Sequence, residues 1–141
     1  MNKKHIEIAV TILQNANGLF FVHQRSDRKK FFPSLYGLGA GGQVEQGETS
    51  QKAVQRELKE ELGIDAVPKF LFTFQVESKT ADNTTALTMH YFHVVSDVEP
   101  KTCDEFQWTG WMNKEEVNKL ATSGKMTPGA KTAWEKFKLL L

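Results

Sequence analysis

Glu57, Glu60 and Glu61 are the side chains of this chain whose types and spacing point most directly to chemistry. On a helix they stand at i, i+3 and i+4 and share a face, with Val54, Leu58 and Leu62 on the opposite, buried side. Three carboxylates this close repel one another and raise each other's pKa unless something positive compensates. A hard divalent cation is the natural compensation, because it prefers oxygen ligands. Arg56 is a second and weaker one, able to orient a neighbouring carboxylate through a charge-assisted hydrogen bond. Just upstream, Gly41-Gly42 lets the backbone come close to a ligand or metal. Further upstream Arg25, Arg28, Lys29 and Lys30 offer cations that suit phosphate, Arg by its planar fork. Phe31, Phe32 and Tyr36 could stack on a base or pack the loop. Each pattern has a plainer reading beside it: glutamate-rich faces occur on solvated amphipathic helices, and basic loops also aid solubility.

The elements that must position these residues follow from pattern. Ile6 to Leu13 is apolar and β-branched and reads as a buried strand. Asn15 to Gly18 is a turn signal, and Leu19 to Arg25 is a second strand, so the pair reads as a hairpin. Gly37 to Gly47 holds five of the ten glycines and is too flexible for a helix interior. Thr49 or Ser50 caps a helix running to about Leu62, with Gly63 as its stop. Three more strands are expected near Lys69 to Glu77, Ala86 to Val95 and Phe106 to Met112. A short helix near Lys114 to Leu120 and a last one from Pro128 complete the chain. Strand runs mixed with helices predict an α/β (α+β) fold, a mixed sheet covered by helices.

The 141 residues suit a single domain over 1–141. Eighteen basic residues against seventeen acidic ones give a net charge of +1, which provides no strong field for nucleic acid or a membrane surface. The balance is uneven along the chain: five carboxylates fall between Glu45 and Glu61, and four cations between Arg25 and Lys30. No apolar run approaches the roughly 20 residues that span a bilayer, and Met1 to Val10 lacks the pattern of a signal peptide. Cys103 is the lone cysteine. These features together suit a cytoplasmic protein.

The segment Gly42 to Ile64 resembles the Nudix hydrolase signature. That signature is a glycine, five residues, Glu, seven residues, then Arg-Glu-apolar-any-Glu-Glu-any-Gly-apolar. Here it is Gly42, Glu48, and Arg56-Glu57-Leu58-Lys59-Glu60-Glu61-Leu62-Gly63-Ile64, and every specified position matches. The resemblance implies an α/β/α sandwich with a mixed central sheet. It implies hydrolysis of a diphosphate bond in a nucleoside diphosphate linked to another moiety, with Mg²⁺, or Mn²⁺ in its place. By the same resemblance Glu57, Glu60 and Glu61 are metal ligands, and Gly41 supplies a backbone carbonyl. Arg56 positions Glu57. Glu57 or a loop acid serves as base, with Glu60 close to the reacting centre. Gly42, Glu48 and Gly63 belong to the motif, Glu48 as a structural or water-linked residue. A distal acid often completes such a site, and Glu105, ahead of Trp111, is the candidate here.

On the substrate side Arg25, Arg28, Lys30 and Tyr36 are the expected contacts, Arg25 foremost because it ends a strand. His90 and His93 are three apart on a strand and point to opposite faces, as ordinary strand residues would. Two rival functions fit parts of the pattern. Leu19 to Thr49 is similar to the isopentenyl-diphosphate isomerase branch of the superfamily, through His-Gln-Arg-Ser and the lysine loop after it. Those isomerases carry a cysteine before Gly-His at the place where this chain has Gly41, Gly42 and Gln43, so half of the proton relay is missing. The other rival is a Nudix domain that only binds ligand, which would be expected to lose a motif glutamate. Homodimers are common in the family, so the resemblance makes a homodimer a candidate assembly.

Overall fold

The computed structural model describes residues 2–79, 83–101 and 103–141. β1 (Asn2–Gln14) is the central strand. Its side chains alternate between two apolar environments. Ile8, Val10 and Ile12 join one core cluster, while Ala9 and Leu13 belong to clusters on the other face. A strand buried on both faces takes a partner on each side. β6 (Asn83–Val95) pairs with it in parallel along its whole length, and β5 (Lys69–Lys79) pairs antiparallel with β6.

The other half of the sheet is built on β2 (Phe20–Arg25), flanked by β3 (Tyr36–Leu38) and β7 (Phe106–Met112), both antiparallel to it. β4 (Gly41–Gln43) pairs with β1. Helix α1 (Ser50–Leu62) covers one face. α2 (Lys114–Thr122) and α3 (Pro128–Phe137) cover the other. This is the mixed sheet between helices that the sequence predicts.

Local chemistry explains the helix ends. The Thr49 hydroxyl accepts from the Lys52 N–H at 3.2 Å, and Gly63 closes α1 in the left-handed region at φ 71°. Asn113 and Glu116 form a reciprocal capping box on α2. The α3 side is anchored by Trp134, fully buried, edge-on to Phe20 at 4.9 Å, with its indole N–H donating to Asn118 at 2.6 Å.

Two features differ from the sequence expectation. β1 and β2 are joined by the expected turn, yet they pair only where Gln14 faces Phe20. They are not an extended hairpin, because the long apolar β1 is satisfied by β6. The glycine-rich stretch also contains two three-residue strands, β3 and β4. Gly39 turns between them at φ 62°, where a Cβ would stand 1.8 Å from the Thr11 carbonyl oxygen. Gly41 comes so close to β1 that a Cβ would lie 2.4 Å from the Ala9 carbonyl oxygen. With β3 on β2 and β4 on β1, the two halves of the sheet part beyond the hairpin end.

Candidate active site

The opening between the half-sheets is a cavity of about 350 Å³. Its polar end is lined by His23, Arg25, Lys29, Lys30, Glu57, Glu61, Glu105 and the backbone of Gly41 to Gln43. The fold therefore gathers α1, the basic loop after β2 and the segment before β7.

On α1 the three glutamates separate. The side chain of Glu60 is 60% exposed and meets Arg56 at 3.5 Å. Glu57 is partly buried, and Glu61 is buried. The expected common face is thus split: each residue advances about 100°, which carries Glu61 round toward the side of Leu58 and Leu62, beneath β4. Glu61 Oε1 accepts the Gly41 N–H at 3.0 Å. The contact Gly41 makes with the acidic group accordingly runs through its amide rather than its carbonyl.

Arg56 organises the outer part of the cluster. Its Nε and Nη2 donate to the two oxygens of Glu48 at 2.8 and 2.9 Å, a bidentate pair. Nη1 donates to Glu57 Oε1 at 2.7 Å. Hydrogen bonding to Arg56 holds the Glu48 carboxyl down at about 2. Glu57 Oε2 has no partner among the described residues. Gly42 makes room for this carboxyl: a Cβ on it would fall 2.6 Å from Glu57 Cδ.

The inner part is different. Burial, reinforced by a hydrogen bond to Glu105 and repulsion from its charge, raises the Glu61 pKa well above the carboxylate range. Glu105 is held down by the hydrogen bond it accepts from Glu61 and by Lys29, whose Nζ lies 3.0 Å from Oε1. Burial raises Glu57 against the pull of Arg56. The shifts of Glu61 and Glu105 run in opposite directions, so the ionised form is favoured at Glu105 and disfavoured at Glu61. Among the described residues no three acidic, His or Cys side chains already stand around one point closely enough to hold an ion: Arg56 draws Glu57 outward and Lys29 holds Glu105.

Of the predicted substrate contacts, Arg25 and Lys30 line the cavity and Arg28 and Tyr36 do not. Arg25 spends its Nε on the Phe31 carbonyl at 3.0 Å, which leaves its terminal nitrogens for a ligand. Arg28 is exposed on the loop. Tyr36 is edge-on to Trp108 at 5.9 Å. Cys103 is outside the lining too, and burial raises its thiol pKa. The loop that carries the cations holds Phe32 and Ser34 at positive φ, 49° and 65°, a costly backbone for non-glycine residues.

Sequence reasoning missed His23. It is 6% exposed, stacked on Phe106 at 4.3 Å, and its Nδ1 is 2.6 Å from the Gly39 carbonyl oxygen. A carbonyl only accepts, so Nδ1 carries the proton and Nε2 is left as an acceptor. The one signal available was its place two residues before Arg25, on the same strand face. His90 and His93 do face opposite sides, one bonded to Glu7 and Thr73, the other to Gln14.

A family model for the NUDIX domain matches residues 3–133. The chain belongs to the Nudix family. Among its Nudix relatives is a nucleoside triphosphatase NudI of Enterobacter sp. (strain 638), 31% identical over 122 residues, 80% of this chain and 85% of the relative. Another is an 8-oxo-dGTP diphosphatase of Haemophilus influenzae, 36% identical over 98 residues, 69% of this chain and 67% of the relative. Among solved structures, a MutT protein from Methanosarcina mazei Go1 superposes with a TM-score of 0.79 at 20% identity, covering 99% of this chain and 97% of its own, a likeness of fold. The first of these relatives is named for nucleoside triphosphates and the second for 8-oxo-dGTP, and this chain is a Nudix hydrolase. No helix among the described residues is long and apolar enough to cross a membrane.

Proposed function

We propose that this Nudix hydrolase cleaves, with Mg²⁺ or with Mn²⁺ in its place, a diphosphate bond in a nucleoside diphosphate linked to a further group. The observation that carries the reading is that Glu57, Glu61 and Glu105, from two distant segments, line one cavity together with Arg25, Lys29 and Lys30. An all-oxygen donor set suits a hard cation. Glu57, Glu61 and Glu105, with Glu60 at the rim and Gly41 in the backbone, are the residues that would hold it. Bound there, the ion would neutralise phosphate charge and activate water.

The chain's own groups do the rest. Arg56 fixes one oxygen of Glu57, so the free Oε2 is the candidate to take a proton from the attacking water. Arg25 and Lys30 are placed to hold phosphate oxygens, and Lys29 can follow once Glu105 turns to a cation. Glu48 and Gly42 keep Arg56 and Glu57 in place. The relatives named for nucleoside triphosphates and 8-oxo-dGTP put nucleoside triphosphates first among candidate substrates, ahead of nucleotide sugars and dinucleoside polyphosphates. All motif glutamates are present, which favours catalysis over ligand binding alone.

The test is release of phosphate, pyrophosphate and nucleotide across such a panel with Mg²⁺, wild type beside Glu61→Gln. Turnover in wild type that falls by roughly 10²–10³-fold in the variant is expected. Equal activity in both would sink the metal assignment, and tight binding without turnover in wild type would sink catalysis.

A further inference from the structure

Lys29 and Glu105 each have a use in the diphosphate reading, and here they are bound to each other. Lys29 Nζ lies 3.0 Å from Glu105 Oε1. One is a cation suited to phosphate, the other an acid suited to a divalent cation. Among the described residues Lys29 alone of the three lining cations ends on a carboxylate. Arg25 gives its Nε to the Phe31 carbonyl, and Lys30 lies over the Phe31 ring at 5.4 Å.

The fold fixes the backbone around this pair and leaves its two side chains to move. β2 runs antiparallel to β7 with Arg25 opposite Phe106. The chain leaving β2 stays tied to the chain entering β7: the Ser26 N–H donates to the Glu105 carbonyl at 3.0 Å, and the Asp27 N–H donates to Gln107 Oε1 at 3.1 Å. The Lys29 N–H donates to the Ser26 carbonyl at 3.2 Å, closing a turn that returns Lys29 toward Glu105. At the far end of the loop the Gln24 side-chain amide donates to the Ser34 carbonyl at 3.0 Å. With both ends of the loop anchored, the ion pair can break by side-chain rotation alone. The two side chains are 29% and 46% exposed. An ion pair in contact with water is worth little. Each partner also has a stronger alternative, because a diphosphate carries more negative charge than one carboxylate and a divalent cation more positive charge than one ammonium.

We propose that the Lys29–Glu105 pair is an exchange latch. Lys29, drawn onto a diphosphate, releases Glu105 toward the cation, and Glu105, drawn onto a cation, releases Lys29 toward phosphate. Each ligand then favours loading of the other, and by linkage the effect is reciprocal. The latch rests on the diphosphate reading and adds to it a regulation of the same site: either ligand alone binds more weakly than it would to a site without the pair. Lys29 is in this respect a positioning residue, acting on the cation through Glu105.

The test is a double-mutant cycle of Lys29→Met, Glu105→Gln and the two together. It is read by calorimetric titration with two probes given separately: Mn²⁺ alone, and methylenediphosphonate in chelator-treated buffer. Lys29→Met should bind Mn²⁺ about fivefold more tightly than wild type, the loss of one competing exposed pair. The same substitution made on Glu105→Gln should gain less than about twofold. Glu105→Gln should bind methylenediphosphonate about fivefold more tightly than wild type, and that gain should vanish when Lys29→Met is added. Should Lys29→Met not fold, Lys29→Gln takes its place in the cycle. Gains of equal size with and without the partner residue would mean that bulk charge alone acts, and would overturn the latch. Unchanged Mn²⁺ affinity in Lys29→Met would overturn it too. Either result leaves the metal reading standing, since wild type still binds Mn²⁺, whereas no Mn²⁺ binding by wild type would overturn that reading and the latch with it.

Discussion

The two ends of the acidic cluster on α1 are built from the same residue type and behave oppositely. At the outer end Glu48 is clamped by the Nε and Nη2 of Arg56, Glu60 lies at the surface, and each carboxylate is within reach of that one guanidinium. At the inner end Glu61 is buried, with the Gly41 N–H as its backbone partner, and burial and the nearby Glu105 charge both disfavour its ionised form. Net charge does not distinguish these ends, whereas burial and the position of one arginine do. The outer end holds the helix and Glu57 in register. The inner end is where a metal ion would change the electrostatics most.

The hardest test of that contrast is Glu61→Gln. Besides the loss of turnover, the variant should lose the Mg²⁺-induced rise in Tm expected of wild type, while its metal-free Tm stays close to wild type because the buried acid it replaces is already neutral. A preserved Mg²⁺ shift would place the ion at the outer end. Next comes Arg56→Lys, which keeps the charge and removes the fork. Activity should fall roughly 10–100-fold, the usual scale for losing a residue that orients a ligand, with a lower Tm. A variant with wild-type kcat would show that Glu57 needs no orienting partner.

The glycines sharpen the comparison within one short segment. In Gly42→Ala the new Cβ meets the flexible end of Glu57, so the carboxyl moves and the backbone does not. Activity should drop by roughly 10-fold or more with Tm within a few degrees of wild type. In Gly39→Ala the Cβ meets backbone at 1.8 Å in a left-handed residue. Stability should fall by roughly 3 kcal/mol or more, read by denaturant unfolding. Equal stability of the two variants would break the distinction between a glycine that seats a catalytic side chain and one that turns the chain.

How much of this is legible in the sequence follows the same division. The outer end is local. Glu48, Arg56, Glu57 and the caps of α1 fall within one motif, and helical spacing is enough to relate them. Glu61's inward turn is not legible, since i, i+3, i+4 spacing gives a shared face without saying where the sheet lies. Lys29 and Glu105 meet only because β2 pairs with β7, and His23 and Tyr91 face the cavity only because the half-sheets part. β3 and β4 are three residues each, too short to show a period. The substrate contacts also show the limit of composition: Arg28 and Tyr36 have the right chemistry but lie outside the cavity lining, while Arg25 and Lys30 lie in it.

The effect seen only away from neutral pH concerns the wall opposite α1. His23 is enclosed between Phe106 and Gly37, and burial holds its pKa down at about 4 against 6.5 for a free imidazole. Between those values the unfolded chain takes up a proton that the folded chain refuses, so stability rises with pH across that window and is lost as pH falls. The separation is worth about 3 kcal/mol when fully expressed near pH 4. For a chain of this length that corresponds to roughly 10 °C of Tm between pH 7 and pH 4 from this group alone. His23→Gln, which keeps a donor for the Gly39 carbonyl, should flatten that part of the Tm–pH curve while leaving the pH 7 value within a few degrees. A curve of unchanged slope would mean that His23 protonates freely in the folded state, and the wall beside Arg25 would then be an open, solvated surface and not a fixed acceptor facing the site.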